Sequence, residues 1–162
     1  DQPRSRGLGD VYKRQVFSDC STIFKSFAKQ SYYLGEFGNG TKMKLIANLL
    51  VAIHNVASAE AVILAKRSGL NMEQFYKVIS SSPCSSKIFE LRAPLMIDNT
   101  FEPATMKLDV WQKDMKLIRE FANNVQSPIP LFATTEPLYQ AAIDANLGQQ
   151  DTAAVCSILQ TN

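Results

Sequence analysis

The sequence predicts an all-α fold, a bundle of five to seven helices around one long central helix. Three observations carry this. A stretch from 41 to 68 holds no Gly or Pro and is apolar around most of its circumference. The segments after it repeat apolar residues at helical spacing, with short connections marked by Ser, Pro, Asn or Gly. Strand-like alternation is almost absent, and no internal repeat or low-complexity run appears.

Residues 1–15 have neither helical nor strand periodicity and read as a non-native or disordered leader, so they stand outside the fold. Between 16 and 40, Ile23, Phe24, Phe27 and Ala28 have helical spacing, while Tyr32, Tyr33 and Leu34 can form one short strand. A single strand makes no sheet, so it either pairs with a further domain or lies as a loop. The helix over 41–68 would be about 40 Å long and stop at Gly69, a suitable residue past a helix C-terminus. Asn71 then caps a shorter helix with Met72, Phe75, Tyr76 and Ile79 as its stripe. Ser80 to Pro83 break it. A further helix covers 86–92, and Pro94 opens its continuation to Ile97. After a loop at Asp98, Asn99 and Pro103, a helix over 105–123 carries Met106, Val110, Leu117 and Phe121 as its stripe. Pro128 and Pro130 separate this from a helix over 131–147 ending at Gly148. Asp151 caps the last one, through Leu159.

Composition excludes several classes. The net charge of +2 lies wholly in the leader, and the rest of the chain balances thirteen basic against thirteen acidic residues, which leaves no nucleic-acid footprint. The longest apolar stretch, from Leu45 to Leu64, is interrupted by Asn48, His54, Asn55, Ser58 and Glu60, so no membrane span is expected. Cys20, Cys84 and Cys156 are odd in number and without metal-ligand spacing, and His54 is the only histidine, so no metal site is expected. Cys84 has no base motif to make it a nucleophile. His54 is rotated off the Lys44 face and reads as a core or interface residue. Trp111 reads as core.

The chemistry-bearing segment is Gly35-Glu36-Phe37-Gly38-Asn39-Gly40-Thr41-Lys42-Met43-Lys44, followed by Asn48. It is no Walker loop, because Thr41 precedes Lys42, and its glycine spacing is not that of a dinucleotide fingerprint. The glycines permit a tight turn into the helix, which puts Lys42 and Lys44 near its N-terminus, the unfavourable end for cations. That field favours a neutral amine and attracts a carboxylate, and burial would favour the neutral amine further. Such a lysine can exchange protons. Asn48 lies one turn beyond Lys44 and Asn55 two turns further, a polar stripe on an apolar helix. The residues alone also allow solvated lysines and core asparagines satisfied by hydrogen bonds.

The pattern G-x-x-G-x-G-x-x-x-K-x-x-x-N, formed by Gly35, Gly38, Gly40, Lys44 and Asn48, resembles the interdomain motif of the β-hydroxyacid dehydrogenases, the group of 3-hydroxyisobutyrate dehydrogenase. Glu60-Ala61 with Gly69, Phe101-Glu102-Pro103, Lys113-Asp114, and Leu147-Gly148 with Asp151 and Ala153-Ala154 extend the resemblance over about residues 30–160. It implies a helical domain like the C-terminal domain of 6-phosphogluconate dehydrogenase, over 41–162, with 16–40 as the end of a dinucleotide-binding domain. It further implies NAD or NADP as cofactor and a small β-hydroxyacid or its semialdehyde as substrate. Lys44 would be the general acid/base, Asn48 a substrate ligand and Lys113 a cofactor contact. Lys113 alternatively forms an ordinary surface pair with Asp109, and Asp114 fixes its helix rather than catalysing. The resemblance also implies a homo-oligomer built through the helical domain, in the cytoplasm or an organelle matrix. Two features depart from the family. The chain carries no G-x-G-x-x-G, and Ala104-Thr105 stand where an aromatic residue is common. A non-enzymatic helical interaction module, or a fragment of a sugar-acid dehydrogenase of the phosphogluconate type, are the competing readings.

Overall fold

The computed structural model describes residues 14–160; the expected leader lies almost wholly outside them. Among the described residues are eight α-helices, a 3-10 turn and no strand beyond one isolated bridge, between Lys107 and Asp151. The all-α expectation holds. Contacts divide the chain into two compact units, one reaching Lys44 and one starting at Leu45.

In the first unit, α1 (residues 14–19) and α2 (Ser21–Phe27) are joined at Cys20. Phe17 meets Phe24 and Tyr33 at ring distances of 5.2 and 5.7 Å. Tyr32, Tyr33 and Leu34 run as a loop, the second of the two expected outcomes. The helix α3 (Asn39–Arg67) begins in this unit.

The second unit is built around the rest of α3, whose buried residues are Ala52, Asn55, Val56, Ser58, Ala59, Val62, Ile63 and Ala65. By length and composition α3 could cross a membrane, which the interrupted sequence did not lead us to expect: its most apolar window has a mean hydropathy of 1.6. Its buried row instead belongs to a core shared with Phe89, Met96, Leu108, Trp111, Ile118, Phe132 and Tyr139. Gly69, at φ +73°, ends the helix as expected.

Asn71 caps α4 (Met72–Ser80) by accepting from the Gln74 amide at 2.9 Å. Its expected stripe does pack on the core. Ser86 caps α5 (Lys87–Asp98), which runs through Pro94 without a break. Proline lacks the N–H that would bond four residues back. The carbonyl that loses this donor is that of Glu90, and the Tyr76 hydroxyl donates to it at 3.1 Å. A partner from α4 therefore satisfies what the sequence led us to treat as a break.

The helix α6 (Leu108–Asn124) starts three residues later than expected and shows a different face to the core. Leu108, Trp111, Met115, Ile118 and Ala122 are buried, whereas Val110 and Leu117 are 53% and 40% exposed. Both sets repeat at three and four residues, so periodicity alone cannot choose between them. The choice is made by the helix entry. The Leu108 and Asp109 amides donate to Gln150 and Gly148 carbonyls, both at 3.0 Å. Pro130 opens α7 (Pro130–Asp144), and a turn leads to the 3-10 segment Thr152–Ala154 and α8 (Val155–Gln160). Asp151 caps this end by accepting from the Ala153 amide at 3.0 Å, as expected.

Candidate functional site

The glycine segment forms the predicted turn. Gly35 and Gly38 have φ of +79° and +91°, a region costly for any residue with a Cβ. Asn39, the first residue of α3, donates through Nδ2 to the Leu34 carbonyl at 2.8 Å and accepts from Lys42 Nζ at 3.2 Å. The first turn of α3 carries no acidic residue. Because α3 begins two residues earlier than expected, Lys42 ends its first turn, near the positive end of the helix dipole, and Lys44 falls in the second turn.

Lys44 is exposed. The expectation that burial would help hold it neutral is not met within this chain. It precedes the first buried residue of α3, Ala52, by two turns. Asn48, one turn after Lys44 along α3, is half-buried, and its side-chain amide makes no hydrogen bond among the described residues. Asn55, the third member of the stripe, is 1% exposed; its Nδ2 donates to the Tyr139 hydroxyl and the Thr152 carbonyl at 2.9 Å each, while its Oδ1 is buried without a hydrogen-bond partner among the described residues. The stripe thus divides along the helix: Asn55 is a core residue, Asn48 is half-buried and Lys44 is exposed.

Lys113 is exposed on α6 and makes no ion pair or hydrogen bond among the described residues. The alternative pair with Asp109 does not form; the Asp109 carboxylate accepts from Gln149 Nε2 at 2.6 Å. Asp114, its neighbour, is 5% exposed and turned into the core. His54 is half-buried and lines a cavity of about 300 Å³ with Ser58, Cys84, Ser85 and Phe89.

A second polar cluster was only half visible in the sequence. Asp151, 0% exposed, uses one oxygen for its cap. The other accepts from Arg92 Nη1 at 3.0 Å and from the amide and hydroxyl of Thr105 at 2.9 Å each. Burial pushes the carboxyl pKa up, but the Ala153 amide, Arg92 and Thr105 outweigh it and hold the pKa below the ordinary value. The Asp151 cap was legible, but its partners 59 and 46 residues away were not. Thr105, which departs from the aromatic residue common in the family, takes its place in this cluster.

An all-α domain whose long helix presents a lysine and an asparagine one turn apart after a glycine turn is the arrangement that the resemblance to the β-hydroxyacid dehydrogenases led us to expect. A family model described as the NAD-binding domain of NADP-dependent 3-hydroxyisobutyrate dehydrogenase matches residues 38–159, and the chain belongs to that family. Relatives include the L-threonate dehydrogenase of Escherichia coli K12, 31% identical over 88% of this chain and 47% of its own. The cytokine-like nuclear factor N-PAC of Aedes aegypti is 30% identical over 88% of this chain and 25% of its own. Among solved structures, 3-hydroxyisobutyrate dehydrogenase from Salmonella typhimurium superposes with a TM-score of 0.80 at 29% identity, covering 88% of this chain and 50% of that one. The chain spans between a quarter and half the length of these relatives.

Proposed function

We propose that this chain supplies the substrate-side half of the active site of an NAD(P)-dependent dehydrogenase acting on a small β-hydroxyacid or its semialdehyde. The observation that carries the reading is Asn48, half-buried with an uncommitted amide, one turn beyond Lys44 on a helix entered through a glycine turn. In this reading the Lys44 amine accepts the substrate hydroxyl proton on oxidation and returns it on reduction. Asn48 hydrogen-bonds the substrate and fixes its orientation beside Nζ. The bound nicotinamide supplies hydride transfer, and Lys113 pairs with an anionic group of the cofactor. Residues 16–40 end the cofactor-binding domain, and 41–162 form the helical one. The protein works in the cytoplasm or an organelle matrix as a homo-oligomer joined through the helical domain, whose exposed Leu64, Val110 and Leu117 offer apolar surface.

The test is Lys44→Ala in the full-length protein. Turnover should fall by about 10²–10⁴ with the circular dichroism spectrum unchanged. Near-normal turnover would refute the assignment. The panel is 3-hydroxyisobutyrate, L-threonate, succinic semialdehyde and 6-phosphogluconate, each with NAD and NADP. The last of these tests the sugar-acid reading. A non-catalytic helical module is the second reading, favoured by the similarity to a protein named as a nuclear factor. Absence of turnover across the whole panel by the intact wild-type protein would support it.

A further inference from the structure

The helix α3 poses a problem of rotation. It is apolar on its buried row and also at Ile46, Leu50 and Leu64, which are 49%, 48% and 69% exposed. A helix apolar on all sides gains similar burial in several azimuths, so hydrophobicity alone does not select one. Directional hydrogen bonds do, as a single buried asparagine does in coiled coils.

Asn55 makes such bonds. Its Nδ2 donates to Tyr139 on α7 and to the Thr152 carbonyl of the 3-10 segment, each at 2.9 Å, and the Tyr139 hydroxyl donates at 3.2 Å to the carbonyl of Ala52, again on α3. Asn55 and Tyr139 are 1% and 0% exposed. Two elements distant in sequence thus grip one side chain and one carbonyl of α3. Asn48 precedes Asn55 by seven residues, about 700° of helix, so the two share a face to within about 20°.

We propose that Asn55 and Tyr139 are positioning residues, a clamp that sets the azimuth of α3 and thereby the direction in which Asn48 is presented to substrate. The proposal rests on the functional reading above. A purely structural pair would be replaceable by apolar side chains, since removing both partners of a buried hydrogen bond can leave stability nearly unchanged. The surroundings allow that exchange. The Thr152 carbonyl also accepts from the Val155 amide, so it keeps a partner without Asn55.

The test compares Asn55→Leu, Tyr139→Phe and the double variant in the full-length protein. The single variants should lose stability, and the double variant should recover most of it. The double variant should still show kcat reduced by about tenfold or more, with KM for NAD(P) unchanged, because misorientation by an ångström is enough for that loss. Hydrogen exchange of α3 amides between 45 and 56 should be faster than in the wild type. Wild-type kcat in a stable double variant would overturn the proposal, as would unchanged exchange. If the wild type turns over nothing on the panel, the functional reading fails, and exchange alone decides whether the clamp exists.

Discussion

Replacing Asp151 by Ala should be among the most damaging single changes in the chain. The carboxylate is fully buried, and its partner Arg92 is only 12% exposed at the side chain. The substitution removes the acceptor for Arg92, for the amide and hydroxyl of Thr105 and for the Ala153 amide at once. Removing one member of a buried pair strands the other charge and costs about 3–5 kcal/mol. For a chain of this size that corresponds to a fall in Tm of roughly 10–15 °C. Thermal and urea unfolding followed by circular dichroism at 222 nm measure it. The sign with pH follows from the depressed carboxyl pKa. Stability from Asp151 is fully present above the unfolded value, about 3.9, and is lost as pH falls through the lower folded value. Asp151→Asn should therefore be less stable than wild type at pH 7 and lose less on acidification. A loss under about 1 kcal/mol for Asp151→Ala, or an unaltered acid limb for Asp151→Asn, would show that the cluster contributes little.

Trp111→Ala should cost about 3–5 kcal/mol in urea unfolding, because the indole is 2% exposed and sits among core side chains. Asn71→Ala should cost only about 1 kcal/mol by the same measurement, the loss of one helix cap. Lys113→Ala in the full-length protein should raise KM for NAD(P) several-fold while leaving the fold intact; an unchanged KM would remove Lys113 from the cofactor site. The 162-residue chain alone should form no NADH from 3-hydroxyisobutyrate or L-threonate, since its sequence has no G-x-G-x-x-G fingerprint.

What the sequence reveals and what it hides follow one physical division. Helix ends are local events, so Asn71 and Asp151 as caps and Gly69 as a terminator could be read directly. The face of a helix is a tertiary decision wherever two apolar stripes coexist. On α6 the pair Val110 and Leu117 competes with Trp111, Met115 and Ile118, and the bonds of Leu108 and Asp109 to the chain near Gly148 and Gln150 settle it. Pro94 repeats the lesson. Its helix continues because Tyr76, eighteen positions earlier, supplies the donor that Glu90 lost. For the candidate site, the spacing of Lys44, Asn48 and Asn55 placed them on one face. Only the packing separated Asn55, whose Nδ2 is held by Tyr139 and Thr152, from Asn48, whose amide stays uncommitted among the described residues.

The exposure of Lys44 also bears on how such a site would operate. A proton-transfer group works best where water is excluded, because a low dielectric strengthens each interaction with the reacting atoms. Within this chain Lys44 is exposed and Asn48 is half-buried. The helix can hold these residues at fixed spacing, but it does not exclude water from them. In the proposed enzyme that exclusion has to come from substrate and the cofactor-binding domain as they close over α3. Lys44 should accordingly react rapidly with an amine-directed acylating reagent in this chain. In the full-length protein it should react more slowly when NAD(P) and a substrate analogue are both bound. Equal labelling rates at Lys44 with and without these ligands, read by peptide mass spectrometry, would contradict a closed site built on this helix.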